Sequence, residues 1–136
     1  MTEMNWKLLV QLSMFGLAMG LATVFFIPSN IEPFVWPIIF IVCAYLIAKR
    51  IPGKPFLNGL LLGVANSVWI AAAHLLLFDR YLSGHPSEAR TIYALAATYS
   101  PKIVMAGLGL LVGLVSGAVI GVLALLVAKI LMSERS

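Results

Sequence analysis

Residues 103–128 read IVMAGLGLLVGLVSGAVIGVLALLVA, and this stretch without a charged side chain decides the fold. An α-helix needs about 20 apolar residues to cross the hydrocarbon core of a bilayer. A membrane β-strand is shorter, about ten residues, and alternates between apolar and polar positions. The stretch is longer than either requirement and continuously apolar. It therefore predicts a transmembrane helix.

Three earlier stretches have the same character, which predicts four spans over residues 8–27, 34–49, 55–78 and 103–130. The breaks between the first three spans are short and contain prolines with charged or small polar residues, which is typical of turns between helices. None of these connections is long enough to separate two domains. The sequence therefore predicts an all-α, polytopic membrane protein, folded over residues 1–136 as a single four-transmembrane-helix bundle.

The composition excludes several other classes of protein. Hydrophobic residues make up 62% of the chain and charged residues 10%, whereas soluble domains are about half apolar and a quarter charged. A water-soluble domain, a disordered chain and a nucleic-acid-binding module are therefore excluded. The partner that we expect is the lipid bilayer, and we expect no nucleic acid.

The net charge of +4 is informative about orientation, because cytoplasmic loops of membrane proteins carry an excess of lysine and arginine. Four spans place both termini on one side, which holds Lys7, Lys49, Arg50, Lys54, Lys129 and Arg135. The other side holds Arg80, Arg90 and Lys102. This asymmetry predicts that both termini are cytoplasmic, and the small size favours a bacterial inner membrane.

The connection over residues 79–102 is the only sizeable segment outside the predicted spans. Its apolar residues Ile92, Leu95, Ala96 and Tyr99 recur with helical spacing. The pattern predicts a short helix over residues 86–99 that lies along the outer membrane surface.

Glycines recur with helical spacing in three of the four predicted spans. They are Gly16 and Gly20, Gly59 and Gly63, and the four-residue repeat Gly109, Gly113, Gly117 and Gly121. Glycine weakens a helix, whereas small residues let helix backbones approach closely inside a membrane. We expect these residues to pack the first, third and fourth spans together, with the second span at the edge. The alternative is that the last stripe packs between subunits of a homo-oligomer.

Four polar residues inside the third and fourth spans are candidates for an intramembrane site. Asn66, Ser67 and His74 share the glycine face of the third span, and Ser116 lies near the middle of the fourth. We expect Asn66, Ser67 and Ser116 to form hydrogen bonds across the helix pair. For His74, a neutral ring bonded to a carbonyl or hydroxyl is favoured over a functional role, although an ionisable group inside a membrane is a candidate site.

Candidate ligands for a metal are few, because the chain has one cysteine and two histidines. No metal site and no cofactor are expected, and no catalytic motif is present, so we expect a protein that is not an enzyme. The sequence favours a structural or accessory unit that assembles, with itself or in a larger membrane complex, through glycine-mediated helix packing. The alternative is an oligomeric channel or transporter for a small solute, lined by the Asn66, Ser67 and His74 face. An enzyme or cofactor-binding subunit is the weakest alternative.

Overall fold

The computed structural model describes residues 4–51 and 53–136, and this part of the chain is all-α, with no β-strand. The helices are α1 (Trp6–Phe25), α2 (Glu32–Arg50), α3 (Pro55–Leu76), α4 (Phe78–Gly84), α5 (Pro86–Leu95) and α6 (Pro101–Ser133). Four of them, α1, α2, α3 and α6, are long and apolar enough to cross a membrane. The expected all-α class with four candidate spans is thereby confirmed.

Local sequence signals account for where the helices begin. The Asn5 side chain accepts a hydrogen bond from the backbone N–H of Leu8 at the start of α1, and the Ser100 hydroxyl accepts one from Ile103 at the start of α6. These caps satisfy N–H groups that have no partner in the first turn of a helix. Helices α2, α3, α5 and α6 each carry a proline in the first turn, where its missing N–H costs nothing.

Helix α3 packs against α1 through the glycines of α1. A Cβ atom built on Gly16 would lie 2.6 Å from the Cα of Asn66, and one built on Gly20 would lie 3.1 Å from the Cβ of Ala73. The residue numbers of the partners on α3 increase in the same direction as those of the glycines on α1, which shows that the two helices run parallel. The absence of side chains at these two positions is what allows this separation.

On its other side, α3 packs against α6 at even closer range. A Cβ built on Gly59 would overlap the backbone of Gly121, and one built on Gly63 would overlap the backbone of Gly117. A Cβ on Gly117 would in turn lie 2.5 Å from the carbonyl oxygen of Leu60. The order of these pairs shows that α3 and α6 run antiparallel, with backbone against backbone.

Helix α2 packs mainly against α6 and makes little contact with α1 or α3. Its buried residues belong to a cluster with the middle and second half of α6. The members from these two helices are Ile39, Cys43, Ala44, Ile47, Ile120 and Ala124. Helix α2 therefore lies at the edge of the α1–α3–α6 arrangement, and its first half is free to line a cleft.

The segment after α3 contains more helix than the sequence predicts. Leu77 leaves the helical conformation at φ −116° and ψ 39°, so α3 ends before residue 78 and the short helix α4 follows in what is predicted as loop. Helix α5 begins at Pro86 as expected but ends at Leu95, short of the predicted residue 99. Its buried residue Ile92 joins a cluster with residues of α4 and Met105 of α6, which holds α5 against one end of the long helices.

Candidate functional site

A cleft of about 660 Å³ lies between α2, α3 and α6, and α5 and the α1–α2 turn contribute residues at one end. This volume is within the usual range for small-molecule sites, about 300–1,000 Å³. All four polar residues singled out in the spans line it: Asn66, Ser67, His74 and Ser116. The polar residues of α3 and the serine of α6 therefore line the same cleft.

The prediction that Asn66, Ser67 and Ser116 form hydrogen bonds with one another is wrong. The Ser67 hydroxyl donates instead to the carbonyl of Val64 in its own helix, at 2.7 Å. The side chain of Ser67 is pressed against Gly113 of α6, and a serine in a helix satisfies its hydroxyl readily in this way. Asn66 is 4% exposed, and its Oδ1 has no hydrogen-bond partner among the described residues.

His74 forms the hydroxyl bond that its position favours. Its Nε2 lies 2.8 Å from the hydroxyl of Thr23 on α1, and that hydroxyl lies 2.8 Å from the carbonyl of Met19. A carbonyl can only accept, so Thr23 donates to Met19 and accepts from a protonated Nε2 of His74. In this arrangement the Nδ1 of His74 is the nitrogen that can accept a hydrogen bond, and the ring lines the cleft.

Three rings form a continuous stack at the end of the cleft near α4. The His74 and Tyr81 centroids are 3.8 Å apart, and those of Tyr81 and His85 are 4.2 Å apart. The Nδ1 of His85 donates to the carbonyl of Tyr81 at 2.9 Å. Burial, with the nearby charges of Glu32 and Glu88, raises the pKa of the Tyr81 phenol, so this ring stays neutral in the stack.

Two carboxylates, Glu32 and Glu88, line the same end of the cleft. An oxygen of Glu32 accepts a hydrogen bond from the Trp36 indole at 3.0 Å. Glu88 accepts from the hydroxyls of Ser29 at 2.9 Å and Ser87 at 2.8 Å. Burial acts to raise the pKa of Glu88, but these hydrogen bonds, together with a backbone hydrogen bond and the nearby His85, hold the pKa below its usual value.

Seven of the eight glycines predicted to pack helices lie at the α1–α3 or α3–α6 contact: Gly16, Gly20, Gly59, Gly63, Gly113, Gly117 and Gly121. Gly109 differs, because the nearest atom to a Cβ built there is the Cβ of Ala71 at 3.7 Å, an ordinary contact. Gly109 lines the cleft. The stripe on α6 therefore has two surroundings, a tight contact with α3 and an open wall.

Three residues that line the cleft, Glu32, Glu88 and Trp36, do not stand out as site residues in the sequence. A signal for the carboxylates was available. Each lies in the first turn of a helix that also carries a proline in that turn, and both of these helices begin on the same predicted side of the membrane. No comparable signal places the Trp36 side chain in the cleft.

Among the described residues, no group of three or more histidine, cysteine, aspartate or glutamate side chains could hold a metal ion. Comparisons with protein families, with curated proteins and with solved structures found no match.

Proposed function

We propose that this chain is a small integral membrane protein that binds a small organic solute in the cleft between α2, α3 and α6 and serves its passage across the membrane. The observation that carries this proposal is the cleft itself. It combines a ligand-sized volume with mainly apolar walls and a few polar groups, the usual composition of small-molecule sites. Catalysis is not part of the proposal, since the cleft presents no nucleophile activated by a neighbouring base.

The proposal includes a topology. The four apolar helices form one bundle in a bacterial inner membrane, with both termini cytoplasmic and α4 and α5 on the outer side. The positive-inside rule supports this orientation, because Lys49, Arg50 and Lys54 fall at the α2–α3 connection. The carboxylates of Glu32 and Glu88 then lie at the outer mouth of the cleft, and Asn66, Ser67 and Ser116 lie deeper.

A structural or assembly role is the second proposal, and it follows from the glycine repeats. Within this chain, the stripe formed by Gly113, Gly117 and Gly121 is occupied by α3. An oligomer or a larger complex would therefore have to use another surface, such as the exposed apolar face of α6 that includes Leu111 and Val115. Solute binding is preferred because the cleft is a formed site.

Two glycines on α6 provide a matched test of solute binding. Gly109→Leu adds a side chain into the cleft, whereas Gly107→Leu adds the same side chain where no atom lies within 4 Å of the new Cβ. The purified protein would be screened by thermal unfolding against a library of small organic solutes. A ligand at 100 times its Kd stabilises the folded state by about 2.7 kcal/mol, which such a screen detects.

The expected result is at least one solute that stabilises wild type and the Gly107→Leu variant but not the Gly109→Leu variant. Flux of that solute into liposomes would then be measured with wild type and with His74→Ala, which alters the cleft wall. Solutes that shift both glycine variants equally, or no stabilising solute at all, would count against a binding function for the cleft.

A further inference from the structure

The charged residues that line the cleft are of one sign. Glu32 and Glu88 belong to its lining, and within the described part of the chain no lysine or arginine does. Nor does any lysine or arginine nitrogen in residues 4–51 and 53–136 lie within 4 Å of either carboxylate. The mouth of the cleft therefore carries two carboxylates that no lysine or arginine of the described residues balances.

The basic residues at this end of the molecule are engaged elsewhere. Arg80 lies over the ring of Phe25, with 5.5 Å from its Cζ to the ring centroid. Lys102 lies over the ring of Phe78, with 5.7 Å from its Nζ to the centroid. Both separations are typical of cation–π contacts. Arg90 donates from its Nε to the backbone carbonyl of Pro86 at 3.4 Å and forms no ion pair within the described residues.

A buried histidine lies beside the Glu32 carboxylate at this mouth. His85 is 1% exposed, and its Nε2 points at an oxygen of Glu32 from 3.9 Å without a hydrogen bond. Because Nδ1 of His85 is already bonded to the Tyr81 carbonyl, the ring nitrogen that faces Glu32 is Nε2. The Glu32 oxygen near His85 accepts no hydrogen bond from the described residues, whereas the other oxygen accepts one from Trp36.

Beyond the carboxylates and a few polar side chains, the walls are apolar and aromatic. Trp36 and Phe40 of α2 face Ile70 of α3 and Met105 and Leu108 of α6 across the cleft. The Trp36 indole is held beside Glu32 by their hydrogen bond, so an aromatic ring and a carboxylate are adjacent. Such a pair suits an ammonium group, which is attracted by both the charge and the ring.

We infer that the cleft selects ligands with an ammonium head on an apolar body, the head lying at Glu32 and Glu88 and the body between Trp36, Phe40 and Met105. This inference rests on the proposed solute-binding function. An anionic head at the same place would meet two carboxylates with no lysine or arginine to offset them, and the cost is high in a partly desolvated site. The cleft should therefore bind a ligand with a cationic head most tightly, one with a neutral head less tightly and one with an anionic head least tightly.

The test uses one apolar body with three heads. Octylammonium, octanol and octyl sulfate would each be measured by equilibrium dialysis against the full chain in dodecyl maltoside, with protein-free micelles as the blank. Wild type should bind octylammonium most tightly and octyl sulfate least. Each of Glu32→Gln and Glu88→Gln should weaken octylammonium binding about tenfold, the effect of one nearby charge in a partly screened site, and leave octanol binding unchanged.

Asp79→Asn is the matched control, because Asp79 is an exposed carboxylate at the same end that does not line the cleft. Its neutralisation should change octylammonium affinity by less than about twofold, since exposed charges are screened. Thermal unfolding of each variant verifies that it is folded. Equal losses in Asp79→Asn and in the two cleft variants would show attraction by the surface as a whole and overturn the inference.

The ammonium head could belong to a membrane lipid or to a soluble amine. Phosphatidylethanolamine and phosphatidylglycerol with the same acyl chains would be added as competitors of octylammonium. Displacement by the ethanolamine lipid alone identifies an amine lipid as the occupant, and displacement by neither identifies a soluble amine. Displacement by both lipids equally would mean that the cleft ignores the head and would overturn the inference.

Failure of this inference differs from failure of the proposed function. If all three octyl compounds bind equally and Gly109→Leu abolishes their binding, the cleft is a solute site without charge selection. If none binds wild type, the charge selection is wrong, and the solute-binding function then depends on the outcome of the library screen.

Discussion

The hydroxyl of Thr23 on α1 lies 2.8 Å from the Nε2 of His74 on α3, and both side chains are buried. The two helices approach closely here because Gly20, one turn before Thr23, lacks a side chain. The bond fixes the orientation of the His74 ring, which stacks on Tyr81 and lines the cleft. One helix–helix contact thereby sets the geometry of the cleft wall.

We predict a favourable coupling between Thr23 and His74 of about 0.6 kcal/mol, with an upper bound near 1.7, as found for polar pairs between membrane helices. Thr23→Val removes the hydroxyl at constant shape, and His74→Phe keeps a ring for the stack. A double-mutant cycle on unfolding in mixed dodecyl maltoside and dodecyl sulfate micelles measures the coupling. A value of zero would mean that the bond contributes nothing to the stability of the α1–α3 contact.

We predict that adding one methyl group to a glycine of α6 changes the free energy of unfolding by an amount that depends on whether the glycine contacts α3. Gly117→Ala places a Cβ 2.5 Å from the carbonyl oxygen of Leu60, and such overpacking costs about 1–3 kcal/mol. Gly107→Ala meets no atom within 4 Å, so it should be neutral or stabilise the helix by up to about 1 kcal/mol. The free energy of unfolding in mixed micelles gives both values. Equal effects would show that the α3–α6 contact is looser than these distances imply.

The helices could be predicted from the sequence because their determinants are local. Long apolar runs, prolines in first turns and caps such as Ser100 act over a few residues. Helix α4 was missed since seven residues carry too little periodicity, and its separation from α3 depends on the backbone conformation at Leu77. The glycine spacing of α3 indicates which faces of this helix contact other helices. The sequence of α2 carries no such signal for its contact partners.

The candidate site was predictable only in part. Asn66, Ser67 and His74 stand out as polar residues on one face of an apolar helix, so their common surface follows from helical spacing. The other wall depends on α2 packing against α6 and leaving its first half, with Trp36 and Phe40, across from α3. That placement is a tertiary property. It brings Glu32 and Glu88 to one mouth although they are far apart in the sequence.

We predict that Ser29→Ala raises the pKa of Glu88. In the folded protein, hydrogen bonds from Ser87 and Ser29 hold this pKa below its usual value despite partial burial. A group with a lowered pKa in the folded state stabilises the fold above its unfolded pKa, and this contribution is lost as the pH falls through the folded pKa. The midpoint of acid unfolding should therefore move to higher pH in the Ser29→Ala variant.

The pKa of Glu88 can be followed directly by NMR of protein labelled with ¹³C at the glutamate carboxyl. Ser83→Ala is the control, because the Ser83 hydroxyl is exposed at the same end and donates to the carbonyl of Arg80, away from Glu88. It should leave the titration unchanged. An unchanged Glu88 titration in the Ser29→Ala variant would mean that the bond between the α1–α2 turn and α5 does not form in solution.

We predict that the end of the molecule with α4 and α5 faces away from the cytoplasm. The only cysteine, Cys43, is buried and unpaired, so the wild-type chain should react slowly with a membrane-impermeant maleimide. Ser83→Cys and Ser133→Cys place exposed thiols at opposite ends of the long helices. In intact bacterial spheroplasts, the Ser83→Cys variant should be labelled at once and the Ser133→Cys variant only after the membrane is permeabilised. The reverse pattern would refute the orientation that the lysines and arginines predict, and labelling of both from outside would refute four spans.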